Sequence, residues 1–302
     1  GFLESGKTEF ISFTLSQPYF QVKGTTLLVL CEEGEVEYDE EILQKSRTVV
    51  EVVDNEEELT PAKLTELEKL YKPERIVIEY NGMWNFKNLK LPWYWQIEQQ
   101  ITIINAATFQ NYYTNMRSLL AEMIRKSELI IFNRCDGLMD QLSNFKRNVK
   151  AVNPQAEIVF EDKDGKVNQI FEEDLPYDLK ADVLKLGDYE YGIFYLDAMD
   201  NLGRYIGKTI EFTAMVLIPE DSKGSYFVPG RMAMTCCADD MAFLGYACIY
   251  NHCDTLENKQ WVKVTATVHQ EYWEDYNGEG PVLHAIQVEQ TKKPKQEILN
   301  FA

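Results

Sequence analysis

The chain opens on Gly1-Phe2-Leu3-Glu4-Ser5-Gly6-Lys7-Thr8, an octapeptide of the form GxxxxGK[ST]. Few eight-residue segments constrain a fold so tightly. Gly1 and Gly6 permit a backbone path that turns successive N–H groups inward, where Leu3, Glu4, Ser5, Gly6, Lys7 and Thr8 can surround phosphate oxygens. Lys7 can reach the β- and γ-phosphates, and the Thr8 hydroxyl is placed to hold Mg²⁺. Phe10 with Phe13 and Ile11 with Leu15 then recur at helical spacing until Gln17-Pro18. The loop therefore hands its anion to a helix N-terminus. A loop of this kind follows a β-strand, and the sequence starts on the loop's first glycine. A strand is expected upstream of these 302 residues.

The next 150 residues alternate short apolar runs with helical periodicity. Thr25–Cys31, Thr48–Val53, Arg75–Glu79, Gln100–Asn105, Glu128–Asn133 and Glu157–Phe160 read as strands. Thr60-Pro61 starts a helix carrying Leu64, Leu67 and Leu70 on one face. Met116, Leu119, Leu120, Met123 and Ile124 mark a long helix, and Leu138, Leu142, Phe145 and Val149 another. Such alternation predicts an α/β fold, a parallel sheet with helices on both faces. Ligands sit at the carboxyl ends of strands in such sheets. Two polar motifs fall there. Glu79-Tyr80-Asn81-Gly82 follows RIVIE; its carboxylate can enter a Mg²⁺ shell and Gly82 can offer an N–H to a γ-phosphate. Asn133-Arg134-Cys135-Asp136 follows ELIIFN, and the Asp136 carboxylate can accept two hydrogen bonds from the N1 and N2 edge of guanine.

Together these motifs resemble the CobW/HypB/UreG type of GTPase, most closely its CobW-like branch, over about residues 1–164. The family's GFLxxGKT loop is matched by Gly1 to Thr8, its ExxG by Glu79 to Gly82, and its NKxD by Asn133 to Asp136, with Arg134 for Lys. Residues Cys31 to Asp39 resemble the family's NEFGEVGID switch segment, and Val149 to Phe160 resemble LRALNPxAxIV. The resemblance implies a P-loop fold and a Mg-dependent GTPase binding GTP and GDP. Lys7, Thr8 and Glu79 would carry the chemistry, and Gly1, Leu3 to Thr8, Gly82, Asn133, Arg134 and Asp136 would bind the nucleotide. It also implies a metallochaperone role toward a metalloprotein client. The family's CxCC triplet, expected between Asp39 and Glu79, is absent, for no cysteine lies there. Cys31 and the acids Glu32, Glu33, Glu35, Glu37 and Asp39 read either as a divalent-ion site or as a solvated acidic loop. The aromatic loop with Trp84, Phe86, Trp93, Tyr94 and Trp95 reads either as a partner surface or as packing on its own domain.

Residues 161–188 hold nine acids against four bases and include Pro176. We place domain boundaries at 1–165, with a linker over 166–188 and a second domain over 189–302. In that second domain the period becomes two. Ile210, Phe212, Ala214 and Val216 alternate with polar neighbours, as do Val262, Val264, Ala266 and Val268, which predicts a smaller OB-like β-barrel. OB barrels often bind single strands through basic grooves. Sixteen acids against nine bases over 190–302, and a net charge of −19 for the whole chain, argue against nucleic acid. No apolar run reaches the roughly 20 residues of a membrane span.

Cys236, Cys237, Cys248, His252 and Cys253 crowd one stretch. Thiolates and imidazole are zinc donors, so the set is a candidate Zn²⁺ centre; the alternative is small cysteines buried in a barrel strand. The block from Tyr189 to Val268 resembles the Cys-Cys-Ala-Asp barrel of YcgQ-like bacterial proteins, which implies a membrane permease as partner. The leading expectation is thus a cytoplasmic, slowly hydrolysing GTP switch, activated by a partner or by homodimerisation. The alternative is a metal- or ligand-binding adaptor whose barrel works while its nucleotide site is degenerate.

Overall fold

The structure, a computed structural model, describes every residue except 33, 168–174, 223, 235–240 and 301–302. The chain divides into two compact units, Gly1–Phe171 and Glu172–Ala302.

The first unit runs α1 (Lys7–Ser16), β1 (Thr26–Leu30), α2 (Glu40–Lys45), β2 (Thr48–Val52), α3 (Pro61–Tyr71), β3 (Arg75–Glu79), β4 (Ile101–Asn105), α4 (Ala106–Asn115), α5 (Arg117–Ile124), β5 (Leu129–Asn133), α6 (Leu142–Lys150), β6 (Glu157–Asp162) and β7 (Gly165–Lys166). The α/β expectation holds, with one difference. The parallel strands form two sheets, β2-β1-β3 and β4-β5-β6, the latter edged by antiparallel β7. The backbone of the phosphate-type loop lies in the seam between them. A Cβ on Gly1 would strike the Ile103 carbonyl on β4, and one on Gly82, just past β3, would strike Gly1 itself. Only glycines admit so close an approach of three backbones.

Each sheet has its own core. Leu27 and Val29 of β1 bury against Leu64 and Leu67 of α3, two of the three leucines that the sequence periodicity picked out, whereas the third, Leu70, is 65% exposed. Thr60 caps that helix by accepting from the Lys63 N–H, with Pro61 behind it. Under the second sheet Phe132 stacks on Phe145 and Phe160, and Phe109 packs edge-on to Phe132. Asn153 explains the AlaValAsnPro stretch: its Nδ2 donates to the Ile124 and Ser127 carbonyls and ties off the end of α5. The single long helix expected around Met116 is instead two, α4 and α5. Met116 leaves helical geometry at φ −132°, ψ 34°, and closes α4 by donating its N–H to Tyr112.

The second unit contains β8 (Val183–Leu186), α7 (Asp188–Asp200), β9 (Thr209–Leu217), β10 (Tyr226–Met234), β11 (Met241–Gly245), β12 (Cys248–Ile249), β13 (Trp261–Trp273), β14 (Gly278–Gln290) and β15 (Ile298–Asn300). Strands β9, β13, β14, β12 and β10 pair in that order, and β10 pairs β9 again, closing a five-stranded ring. Closure removes the exposed sheet edges. The ring is mixed, since β12 runs parallel to β14. Its interior is the predicted alternation: Ile210, Phe212, Ala214 and Val216 with Val262, Val264, Ala266 and Val268, none more than 2% exposed. Residues expected to be linker are partly strand. Leu184 and Leu186 are buried and β8 adds in parallel to β9, because Val183-Leu184-Lys185-Leu186 already carries a period-two pattern. Arg231, only 1% exposed, is held by Asp188 at 2.6 Å and by the Gln296 carbonyl, joining β10 to the start of α7.

Candidate functional site

The loop from Gly1 to Gly6 bends through two left-handed residues, Glu4 (φ 56°) and Gly6 (φ 94°). Its outward carbonyls are held from the other sheet. Asn133 Nδ2 donates to the Ser5 carbonyl at 2.7 Å, and Arg134 donates to the Glu4 carbonyl at 2.9 Å. Among the described residues no acceptor takes the N–H groups of Gly6, Lys7 and Thr8. They are the free donors of a helix N-terminus, a geometry that suits an anion.

Lys7 lies inside this turn. Its Nζ donates to the Gly1 carbonyl (3.1 Å) and the Phe2 carbonyl (2.9 Å) and pairs with Glu32. Thr8 Oγ1 donates to Glu79 Oε1 at 3.0 Å, and the other oxygen of Glu79 accepts from the Tyr38 hydroxyl. Glu79 ends β3 and is 3% exposed. Burial raises its carboxyl pKa above the ordinary value, against the bonds from Tyr38 and Thr8 and the charge of Lys7. The same burial, with the Glu79 and Glu32 charges nearby, pushes the Cys31 thiol up to about 12, so it stays a neutral thiol at physiological pH.

These groups line a cavity of about 280 Å³ whose wall includes Lys7, Thr8, Glu32, Glu35, Glu79 and Arg134. Glu4 and Glu9 also border it. Five carboxylates against two cations make the cavity acidic, so a polyphosphate can enter it only with a cation. The donor set fits that cation. Thr8 Oγ1 and Glu79 are hard oxygen donors of the kind Mg²⁺ takes. Two buried polar atoms at the loop, Ser5 Oγ and Asn133 Oδ1, have no hydrogen-bond partner, which is consistent with a site shaped for a ligand.

The structure brings together Gly1, Leu3 to Thr8, Glu79, Gly82, Asn133 and Arg134. Asp136 stands apart from the cavity wall, exposed, with its Oδ1 3.5 Å from the Lys163 N–H. Its neighbour Cys135 is buried, its thiol raised to about 11 by that burial. Two roles were missed by sequence reasoning. Asn133 and Arg134 brace the loop, and Tyr38 anchors Glu79; only the switch-like pattern around Tyr38 hinted at the second. The acidic segment divides: Glu32 is tied to Lys7, Asp39 caps α2 by accepting from the Glu41 N–H, and Glu33 lies outside the described residues. The aromatic loop divides as well. Trp84 and Trp95 pack against the β1–α3 core, whereas Trp93 is 93% exposed.

In the barrel unit the described members of the candidate zinc set, Cys248, His252 and Cys253, form no three-donor cluster. Cys248 is fully buried, its thiol raised first by burial and then by Cys253. Cys253 donates its Sγ–H to the Tyr250 carbonyl, and His252 is exposed. Their chain positions crowd, but strand β12 turns Cys248 into the core and leaves His252 outside. Cys236 and Cys237 lie outside the described residues. No helix among the described residues is long and apolar enough to cross a membrane.

Comparison with known proteins gives two family matches. The nucleotide-binding domain of CobW/HypB/UreG matches residues 1–160, and the DUF1980 C-terminal domain matches residues 161–299. Among curated proteins none matches the chain. Among solved structures, a crystal structure of a zinc-bound triple mutant of the YjiA GTPase aligns with 98% of this chain and 89% of that one, at 13% identity and a TM-score of 0.41.

Proposed function

The chain belongs to the CobW/HypB/UreG family through its nucleotide-binding domain, and from that premise we propose that its first unit binds Mg·GTP and hydrolyses it slowly, as a switch. The observation that carries this reading is the convergence of Lys7, Thr8 and Glu79 on one cavity under a helix N-terminus with free N–H groups. Lys7 takes the β- and γ-phosphate charge, once it leaves Glu32. The N–H groups of Gly6 to Thr8 fix the phosphates without reorganisation. Thr8 and Glu79 would hold Mg²⁺, which would supply positive charge to offset that of the phosphates. Asp136 reads guanine by accepting from its N1 and N2 edge.

Hydrolysis needs a positioned water and a further cation. Lys7 and Arg134 are the cations at the cavity, and Arg134 is already engaged with the Glu4 carbonyl and the Glu9 carboxylate. Intrinsic turnover is therefore slow, on the order of 10⁻³ per second or below, as in GTPases without an arginine finger. Completion by a partner or by a second copy raises it. A metalloprotein client or a permease is the kind of partner this reading carries forward. Single-turnover measurement tests it. Slow GTP cleavage that requires Mg²⁺ and is lost in Lys7→Ala supports the reading, and cleavage above about one per second by the chain alone overturns it.

A further inference from the structure

The chain contains three histidines, and two of them meet on one strand pair of the barrel. Strands β13 and β14 run antiparallel with Thr267 opposite His284, His269 opposite Val282 and Glu271 opposite Gly280. Period two puts Thr267, His269 and Glu271 on one face of β13, and His284 on that same face of β14. The intervening residues Ala266, Val268 and Leu283 fill the barrel core. The two imidazole rings lie 4.1 Å apart between centroids, tilted by 35°. His284 Nε2 is 2.6 Å from Glu271 Oε1, and His269 Nε2 is 2.9 Å from the Thr267 hydroxyl. One donor atom from each of His269, Glu271 and His284 falls within 4.8 Å of the other two.

We propose that His269, Glu271 and His284 form a divalent transition-metal site, of the kind zinc takes, with a fourth position open to water or to a ligand. Two imidazoles and one carboxylate are a donor set for zinc sites that keep such a position, and they exclude the all-oxygen preference of Mg²⁺. Tetrahedral donors at about 2.0–2.1 Å from one ion stand roughly 3.3 Å apart. The donor atoms already lie within 4.8 Å of one another, so a common ion would ask each to move by no more than about an ångström or two. The His284 and Glu271 side chains are 38% and 36% exposed, so an ion has a path from solvent. The site is independent of the nucleotide reading, because all three residues belong to the second unit and it is tested with metal alone.

The test uses the full chain, stripped with chelator and titrated with Zn²⁺, while the histidine ring resonances are followed by NMR. With three histidines in the chain, the proposal gives a simple pattern: the two signals of His269 and His284 move together and saturate at one ion, and the His252 signal stays. A Co²⁺ titration of the same protein then shows a complex without thiolate charge-transfer absorption. His269→Gln and Glu271→Gln each weaken binding by at least tenfold, and both substitutions lie on the outer face of β13, away from the core. If no ring signal moves, or His252 moves with thiolate absorption in place of the other two, the proposal is overturned. Unchanged affinity in the His269→Gln protein also overturns it.

Discussion

Thr8 Oγ1 and Glu79 Oε1 are joined by a 3.0 Å hydrogen bond across 71 positions of sequence, linking the first turn of α1 to the end of β3. It holds in register the two oxygen donors that the proposed function assigns to Mg²⁺. It also ties a buried carboxylate to a neutral donor, and that has a consequence for pH.

Burial raises the Glu79 pKa in the folded state above its unfolded value of about 4.3. Between those two values the folded chain binds the proton more tightly. This group's contribution to stability therefore falls as pH rises through that window, and it is flat above the folded value. Glu79→Gln removes the titration. Urea unfolding at a series of pH values should show the wild type losing stability relative to Glu79→Gln from about pH 4.3 upward. Parallel curves for the two proteins would contradict the assignment.

Lys7→Ala removes the one buried cation of the cavity. We expect GTP affinity to drop at least a hundredfold, about 2.8 kcal/mol, while the circular dichroism spectrum is retained. Calorimetric titration checks this, and retained tight binding would contradict the role of the loop.

Glu32 pairs with Lys7 at only 8% and 10% side-chain exposure respectively, so under the proposed function it competes with phosphate for the ammonium. Glu32→Gln frees the ammonium and should tighten Mg·GTP binding by about three- to tenfold, up to 1.4 kcal/mol. Equal or weaker binding would show that Glu32 instead assists the cation.

Much of this was legible in the chain. The GxxxxGKT octapeptide, the Leu64–Leu67 helix face and the alternation of Val262 to Val268 each follow a local period or a local steric need, which sequence carries directly. The division into two sheets was not legible, because the alternation marks strands and helices but not which strands pair. Nor was the break at Met116, because the i, i+3, i+4 pattern begins at Met116 and says nothing of how the chain before it joins the helix. At the site, Lys7, Thr8 and Glu79 could be placed from motifs. The bracing by Asn133 and Arg134 could not, since it joins residues about 130 positions apart. The histidines were overlooked for a related reason. His269 and His284 are 15 positions apart in sequence and share a face only through the register of β13 and β14.

Asp136 lies beyond the cavity wall and is exposed, so its proposed role as guanine reader rests on the motif and is put to test by substitution. Asp136→Asn exchanges an acceptor for a donor and should transfer preference from guanine to xanthine nucleotides, which present a carbonyl where guanine presents its amino group. Competition between GTP and XTP for the variant reads this out. Undiminished guanine preference would move base recognition elsewhere.

The central claim is that the first unit is a guanine-nucleotide switch. Calorimetric titration of the chain with GTP and with ATP, each with and without Mg²⁺, tests it most directly. The account predicts Mg-dependent GTP binding with at least tenfold preference over ATP, about 1.4 kcal/mol. Equal affinity for the two nucleotides, or binding of neither, would contradict it.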